Sequence, residues 1–164
     1  MQTKTMLQGF CQVTNHSWFG ILLFLLRISL GFMFLYSGIA KLDDWSAAFY
    51  LVDATGPFAE WFQSLANNAL IDSLNVWGQV LIGACLILGI VVRPASFFGA
   101  ILMALYYLAQ FDQNTAHGFV DQHVIMALIF VMFMAGGVGH ILGLDGLVSG
   151  NIRKKKWFTK ILFG

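Results

Sequence analysis

Charge is scarce in this sequence. Lys, Arg, Asp and Glu make up 10% of the 164 residues, against about 25% in ordinary globular domains. With 59% hydrophobic residues and a mean hydropathy of +0.76, the chain lacks the polar surface needed to cover a core in water, so its solvent is lipid. Cysteine is scarce as well, and Cys11 and Cys85 cannot build a CxxC motif, a zinc cluster or a disulfide framework. There is no HExxH and no pair of histidines four residues apart, which leaves only the weak set His117, Asp121 and His123 as metal ligands; no metal is expected. A haem wants facing axial histidines, and only His140 is expected inside the membrane, near the cytoplasmic end, while His123 starts its run at the outer end. The net charge of +1 supplies no basic surface, and no nucleic-acid partner is expected.

Long apolar runs are what the chain has in abundance. A bilayer-spanning helix takes about 20 apolar residues, and four runs qualify, over 18–41, 74–92, 94–111 and 122–142. The first is too long for the core of a signal peptide and has no small-residue cleavage site after it. Pro94 suits the first turn of a helix, where its missing N–H would be unpaired anyway. The expected fold is an all-α integral membrane protein, a four-transmembrane-helix bundle in contact with the bilayer.

Basic residues near span ends set orientation. If the spans alternate, Lys4, Arg93, Arg153 to Lys156 and Lys160 share one side, and Lys41 stands on the other. The segment 1–17, the basic tail 149–164 and both termini are therefore expected to be cytoplasmic. The outer face collects seven acids: Asp43, Asp44, Asp53, Glu60, Asp72, Asp112 and Asp121. The outer loop 42–73 is long for a connection. Within it Phe58, Trp61, Phe62 and Leu65 follow amphipathic-helix spacing after the Gly56–Pro57 break, and Trp45, Phe49 and Val52 precede it. One or two short interfacial helices are expected there, capping the mouth of the bundle. Small residues mark packing seams, with Ser96, Ala100 and Ala104 on the third span and Ala135 with Gly139 on the fourth.

Two sets of polar residues could carry chemistry. Arg27 lies about nine residues into the first span, roughly 13 Å along it, near the midplane. A buried ion there is a functional candidate, although its side chain could equally snorkel or anchor on backbone carbonyls. The second set gathers at the outer helix ends: Tyr36, Ser37 and Lys41; Asn75 and Gln79; Tyr106, Tyr107 and Gln110; His117, Asp121 and His123. A quinone site needs an apolar slot, hydrogen bonds to the ring oxygens and a group that exchanges protons with water, and this set contains such groups. The plainer reading is a polar and aromatic interfacial rim. His140 and Asp145 bracket a turn, where helix termination and headgroup contact are the ordinary explanation.

Several fragments in order, Arg27-Ile-Ser-Leu-Gly-Phe-Met-Phe-Leu-Tyr-Ser-Gly38-Ile-Ala-Lys41-Leu, Gly56-Pro57-Phe58-Ala59-Glu60-Trp61-Phe62, Leu88-Gly89 with Arg93-Pro94, Asp121-Gln122-His123 and Gly139-His140-Ile-Leu-Gly143-Leu-Asp145, resemble the DoxX/DoxD family. The sequence is most similar to the DoxD branch, the membrane subunit of thiosulfate:quinone oxidoreductase. The resemblance implies a multi-pass protein of a prokaryotic cytoplasmic membrane. It would pass electrons from a small sulfur compound to quinone, turning thiosulfate into tetrathionate, beside a DoxA-like or other redox partner. The implied positions are Arg27, Lys41, Asp121 and His123, with Arg93 at the turn. On that reading Lys41, Asp121 and His123 are catalytic, while Arg27, Tyr36, Gln79, Tyr106 and His117 hold the quinone. Where family members often carry arginine, this chain has His140, which weakens an anion role there. The seven outer acids also disfavour a dianion by simple field effects, so a partner would have to supply cations. The alternative is a non-catalytic scaffold or accessory subunit of a redox complex. A transporter is a third option, but it wants Gly- or Pro-broken helices, and the span interiors lack them.

Overall fold

A computed structural model describes residues 17–43, 45–113 and 118–146; the basic tail, His117 and all but the last residue of the N-terminal segment lie outside them. Among these described residues six α-helices follow one another: α1 (Ser17–Ile39), α2 (Ala48–Leu51), α3 (Ala59–Ser64), α4 (Ala69–Leu88), α5 (Val92–Ala109) and α6 (Gln122–Gly136). Among the described residues there is no strand, and the one bridge, Thr55 with Gln110, ties the loop to the end of α5.

Three helices, α1, α4 and α5, are long and apolar enough to cross a membrane. The fourth expected span is shorter than the sequence suggests, because α6 ends after 15 residues rather than running on to residue 142. The reason is local: Gly137 takes the left-handed conformation at φ 59°, a common helix stop, and a single 3-10 turn, Val138–His140, follows. At 1.5 Å per residue α6 is roughly 22 Å long. By contrast α4 begins earlier than expected, at Ala69, because the Asn68 side chain accepts from the Leu70 N–H at 3.0 Å and satisfies one of the helix's unpaired donors.

The four long helices alternate in direction and form two intimate pairs, α1 with α4 and α5 with α6; α4 meets α5 over a smaller face. The seams differ in part from those expected. A Cβ on Gly83 would strike the backbone of Leu35 and Gly31, and one on Gly99 would strike the Phe130 ring, so these positions set the closest approaches. Of the expected seam residues, Ser96 and Gly139 are buried and Ala100 packs against the core, but Ala104 and Ala135 are exposed. Phe34, Leu86, Phe130 and Phe133 fill the core between the pairs, with Phe34 and Phe130 edge to face.

The first loop is folded, with α2 and α3 on either side of the Gly56–Pro57 break. Ala47, Leu51, Ala54 and Phe62 form a second, smaller core against Ala109 at the end of α5. Only Phe62 of the expected amphipathic face is buried; Phe58 and Trp61 are about half exposed. The Ala47 N–H donates to Asp72 on α4 at 2.8 Å, and the Thr55 N–H to the Ala109 carbonyl at 3.0 Å. These bonds hold the loop over the ends of α4 and α5.

Candidate functional site

Lys41 follows the last turn of α1, where the chain turns under the loop. Its ammonium lies 4.4 Å from the centre of the Trp45 ring, the distance of a cation–π contact. It also donates to the Tyr106 hydroxyl at 3.3 Å and to the Asn75 side-chain oxygen at 3.5 Å, both long for such bonds. The contacts are neutral and loose, so burial dominates and pulls the lysine pKa down from 10.5 to about 8.

Tyr106 is the hub. Its hydroxyl donates to Asn75 at 2.7 Å and accepts from Lys41 and from the Gln79 amide, the latter at 2.9 Å. Asn75 and Gln79 stand four residues apart and so share a face of α4, while Tyr106 reaches across from α5. Beside this network Asp121 caps α6: one carboxylate oxygen accepts from the Val124 N–H at 2.9 Å and the other meets His123 Nδ1 at 2.5 Å. With the carboxylate accepting, Nδ1 carries the ring proton and Nε2 is left as the nitrogen that can take up or release one. The His123 ring stands edge-on to Tyr106 at 5.8 Å.

A cavity of about 170 Å³ lies between these groups, walled by Lys41, Tyr50, Tyr106, Gln110, Gln122 and His123. Tyr50, Tyr106 and Ala109 also border a second chamber of about 280 Å³ under Trp45, Trp61 and Phe62. The arrangement is a small polar pocket backed by an apolar chamber, the composition of a site for an amphipathic ligand.

Of the expected site residues, Lys41, Gln79, Tyr106, Asp121 and His123 come together. Tyr36 does not; it is 67% exposed and stacks on Phe32 on the open side of α1. Arg27 does not either. It is fully buried at the opposite end of the bundle, where Nη1 donates to the carbonyls of Val138 and Ile141 at 2.9 and 3.1 Å, and Nη2 to that of Leu142 at 3.3 Å. Counted along α1 it is mid-span, but relative to its neighbours it lies at the depth where α4 and α6 stop. His117 lies outside the described residues. Asn75, named with Gln79 in the outer polar set, proves central through its bond to Tyr106. Tyr50, on a four-residue helix, carried no signal in the sequence.

The model of the DoxX family matches residues 22–111, more than half of the chain. The chain belongs to the DoxX family. Within this DoxX protein the matched stretch holds Arg27, Lys41, Asn75, Gln79 and Tyr106, whereas Asp121, His123 and Asp145 lie beyond it. No curated protein and no solved structure matches the chain.

Proposed function

We propose that this DoxX protein is the quinone-binding subunit of a membrane oxidoreductase and receives a quinone ring in the pocket beside Lys41. The observation that supports this most is the convergence of a loosely held cation, a histidine–carboxylate pair and a phenol on a small pocket that adjoins an apolar chamber. The DoxX family is associated with membrane redox and quinone-related roles. Reduction of a quinone places negative charge on its ring oxygens and takes up two protons. Lys41 opposes that charge, and His123, oriented by Asp121, hands on protons. Tyr106, held by Asn75 and Gln79, fixes the position of Lys41.

In the finer reading, drawn from the likeness to the DoxD branch, the electrons come from thiosulfate. Two ions give up one electron each and join as tetrathionate, with a DoxA-like or other redox subunit alongside. The face bearing Lys41 is then the outer face of a prokaryotic cytoplasmic membrane. The test is anaerobic, thiosulfate-driven reduction of a short-chain quinone by the purified protein in lipid nanodiscs, with and without membrane extract from its host. Turnover is expected, and Lys41→Met should lower it by about a hundredfold in a protein that still folds and unfolds cooperatively. A well-folded Lys41→Met protein of full activity removes that residue from the mechanism. A wild-type chain that neither binds nor reduces quinone in either preparation leaves a scaffold subunit as the better reading.

A further inference from the structure

The seam between the two helix pairs is open on its membrane-exposed side. Because α4 packs on α1 and α5 on α6, their shared face leaves a groove of about 640 Å³, walled by Leu74, Trp77, Leu81, Phe98, Ile101 and Leu105 among others. It reaches along α4 from Leu70 to Cys85, roughly 22 Å at 1.5 Å per residue. At one end it shares Leu74, Leu102 and Leu105 with the apolar chamber, and the chamber in turn adjoins the Lys41 pocket at Tyr50, Tyr106 and Ala109. Groove, chamber and pocket thus follow one another along shared walls, from the apolar flank of the bundle to the ammonium.

Resting on the quinone reading above, we infer that the α4–α5 groove seats the long apolar tail of the quinone whose ring lies beside Lys41. The substrate is then a membrane-resident, tailed quinone that enters sideways between α4 and α5. Continuity with the polar pocket decides between this occupant and an acyl chain of the surrounding lipid. A phospholipid in the groove would keep its headgroup at the interface, with no use for the chamber, whereas a quinone needs a tail path that ends at a proton-exchanging pocket. The selectivity is one of shape. Bilayer and groove are equally apolar, so the tail is held by close packing rather than by escape from water.

Gly78 makes the test clean. It lines the groove, and a Cβ added there meets nothing within 4 Å, so Gly78→Phe fills the groove without straining the helix, in which glycine is a poor residue. Leu128→Phe, on an exposed position of α6, adds a similar ring away from it. Each protein is placed in nanodiscs of one lipid composition, and binding of a ring-only quinone and of the same ring with a four-isoprene tail is read by tryptophan quenching. Identical discs cancel partitioning into the bilayer. Gly78→Phe should weaken the tailed quinone about tenfold, about 1.4 kcal/mol, and leave the ring-only compound unchanged, with Leu128→Phe altering neither. Tailed binding that is indifferent to Gly78→Phe overturns the groove assignment and leaves the groove to lipid, while the ring site stands. Equal loss of both compounds overturns it too, since the groove would not be acting on the tail. Ring-only binding that is absent, or unmoved by Lys41→Met, instead strikes the quinone reading on which the groove depends.

Discussion

Lys41 is the residue through which pH acts on this site. Burial lowers its pKa from 10.5 to about 8, so the ammonium is charged at neutral pH and discharges within reach of ordinary buffers. On the proposed quinone reading, the cation opposes charge on a ring oxygen below about 8, and above it that help is gone. Quinone affinity is therefore expected to fall as pH rises through about 8. Lys41→Arg, charged throughout because the guanidinium pKa exceeds 12, should abolish that alkaline limb, and Lys41→Met should bind weakly at every pH. A wild-type protein whose affinity is flat from pH 6 to 10 does not use the charge. Folding carries the opposite sign. Between about 8 and 10.5 the unfolded chain binds the proton that the folded chain has released, so this lysine's contribution to stability rises with pH across that window. The site was legible because polar side chains are rare in this chain and cluster where helices end: Lys41, Gln79, Tyr106, Asp121 and His123 stand out against an apolar background. Tyr36 fits the same description and faces away, since helix rotation about its axis is set by the α1–α4 packing rather than by local composition.

At the scale of elements, the far end of the bundle is closed by a knot that pattern reading treats as a plain turn. The Asp145 carboxylate accepts from the N–H groups of Val91 and Val92 at 2.8 and 3.1 Å, and the Asp145 N–H donates to the Gly89 carbonyl at 2.8 Å. It thereby caps α5 from 53 residues away and holds Val91, a β-branched residue, in the left-handed region at φ 46°, a costly conformation for such a side chain. Arg27 sits alongside, bonded to the carbonyls of residues 138–142, and interacts electrostatically with Asp145. Gly143 lies between the Gly139 and Gly89 carbonyls and the Arg27 guanidinium with no room for a Cβ. Asp145→Ala removes an acceptor from two backbone donors and a counter-charge from a buried cation, and should cost about 3 kcal/mol or more. Asp145→Asn, which keeps one acceptor oxygen, should lose less. Denaturation midpoints in one detergent decide it, and an unchanged midpoint for Asp145→Ala would show that the knot contributes nothing. Anchoring of Arg27 on main-chain carbonyls is one of the two readings the sequence allows, but which carbonyls it meets cannot be read from it, because they lie more than 110 residues away and main chain carries no sequence signal. The helix seams were legible only in part, for a related reason. Which small residues meet depends on how the helices pair, and the stripes on Ala104 and Ala135 are merely exposed.

Across the whole molecule, the proposed function divides stability from chemistry between the two ends of the bundle. The Arg27–Asp145 knot fastens α4 to α5 at one end, and the folded loop, held by Asp72 and Ala109, roofs the other, where the helices carry the pocket. This division is useful only if the two ends face opposite sides of a membrane, and the described helices make that testable. The segment after α6 packs against Gly89 and Arg27, so the chain returns to the knot end even though α6 has 15 residues. If α6 makes a fourth crossing, it has to be completed by local thinning of the bilayer or by the 137–146 turn sitting below the interface, both modest costs. Glu60, exposed on α3, and Leu144, exposed in the knot, should react with a membrane-impermeant thiol reagent from opposite sides when replaced singly by cysteine in a chain lacking Cys11 and Cys85. If the basic residues orient the chain as the sequence leads one to expect, the Leu144 side is cytoplasmic, so intact cells should label Glu60→Cys and spare Leu144→Cys, and inverted vesicles should reverse this. Labelling of both from one side would mean that α6 does not cross. Reversal of the two sides would instead turn the Lys41 pocket toward the cytoplasm, and with it the side from which, on the proposed reading, a quinone would draw its protons.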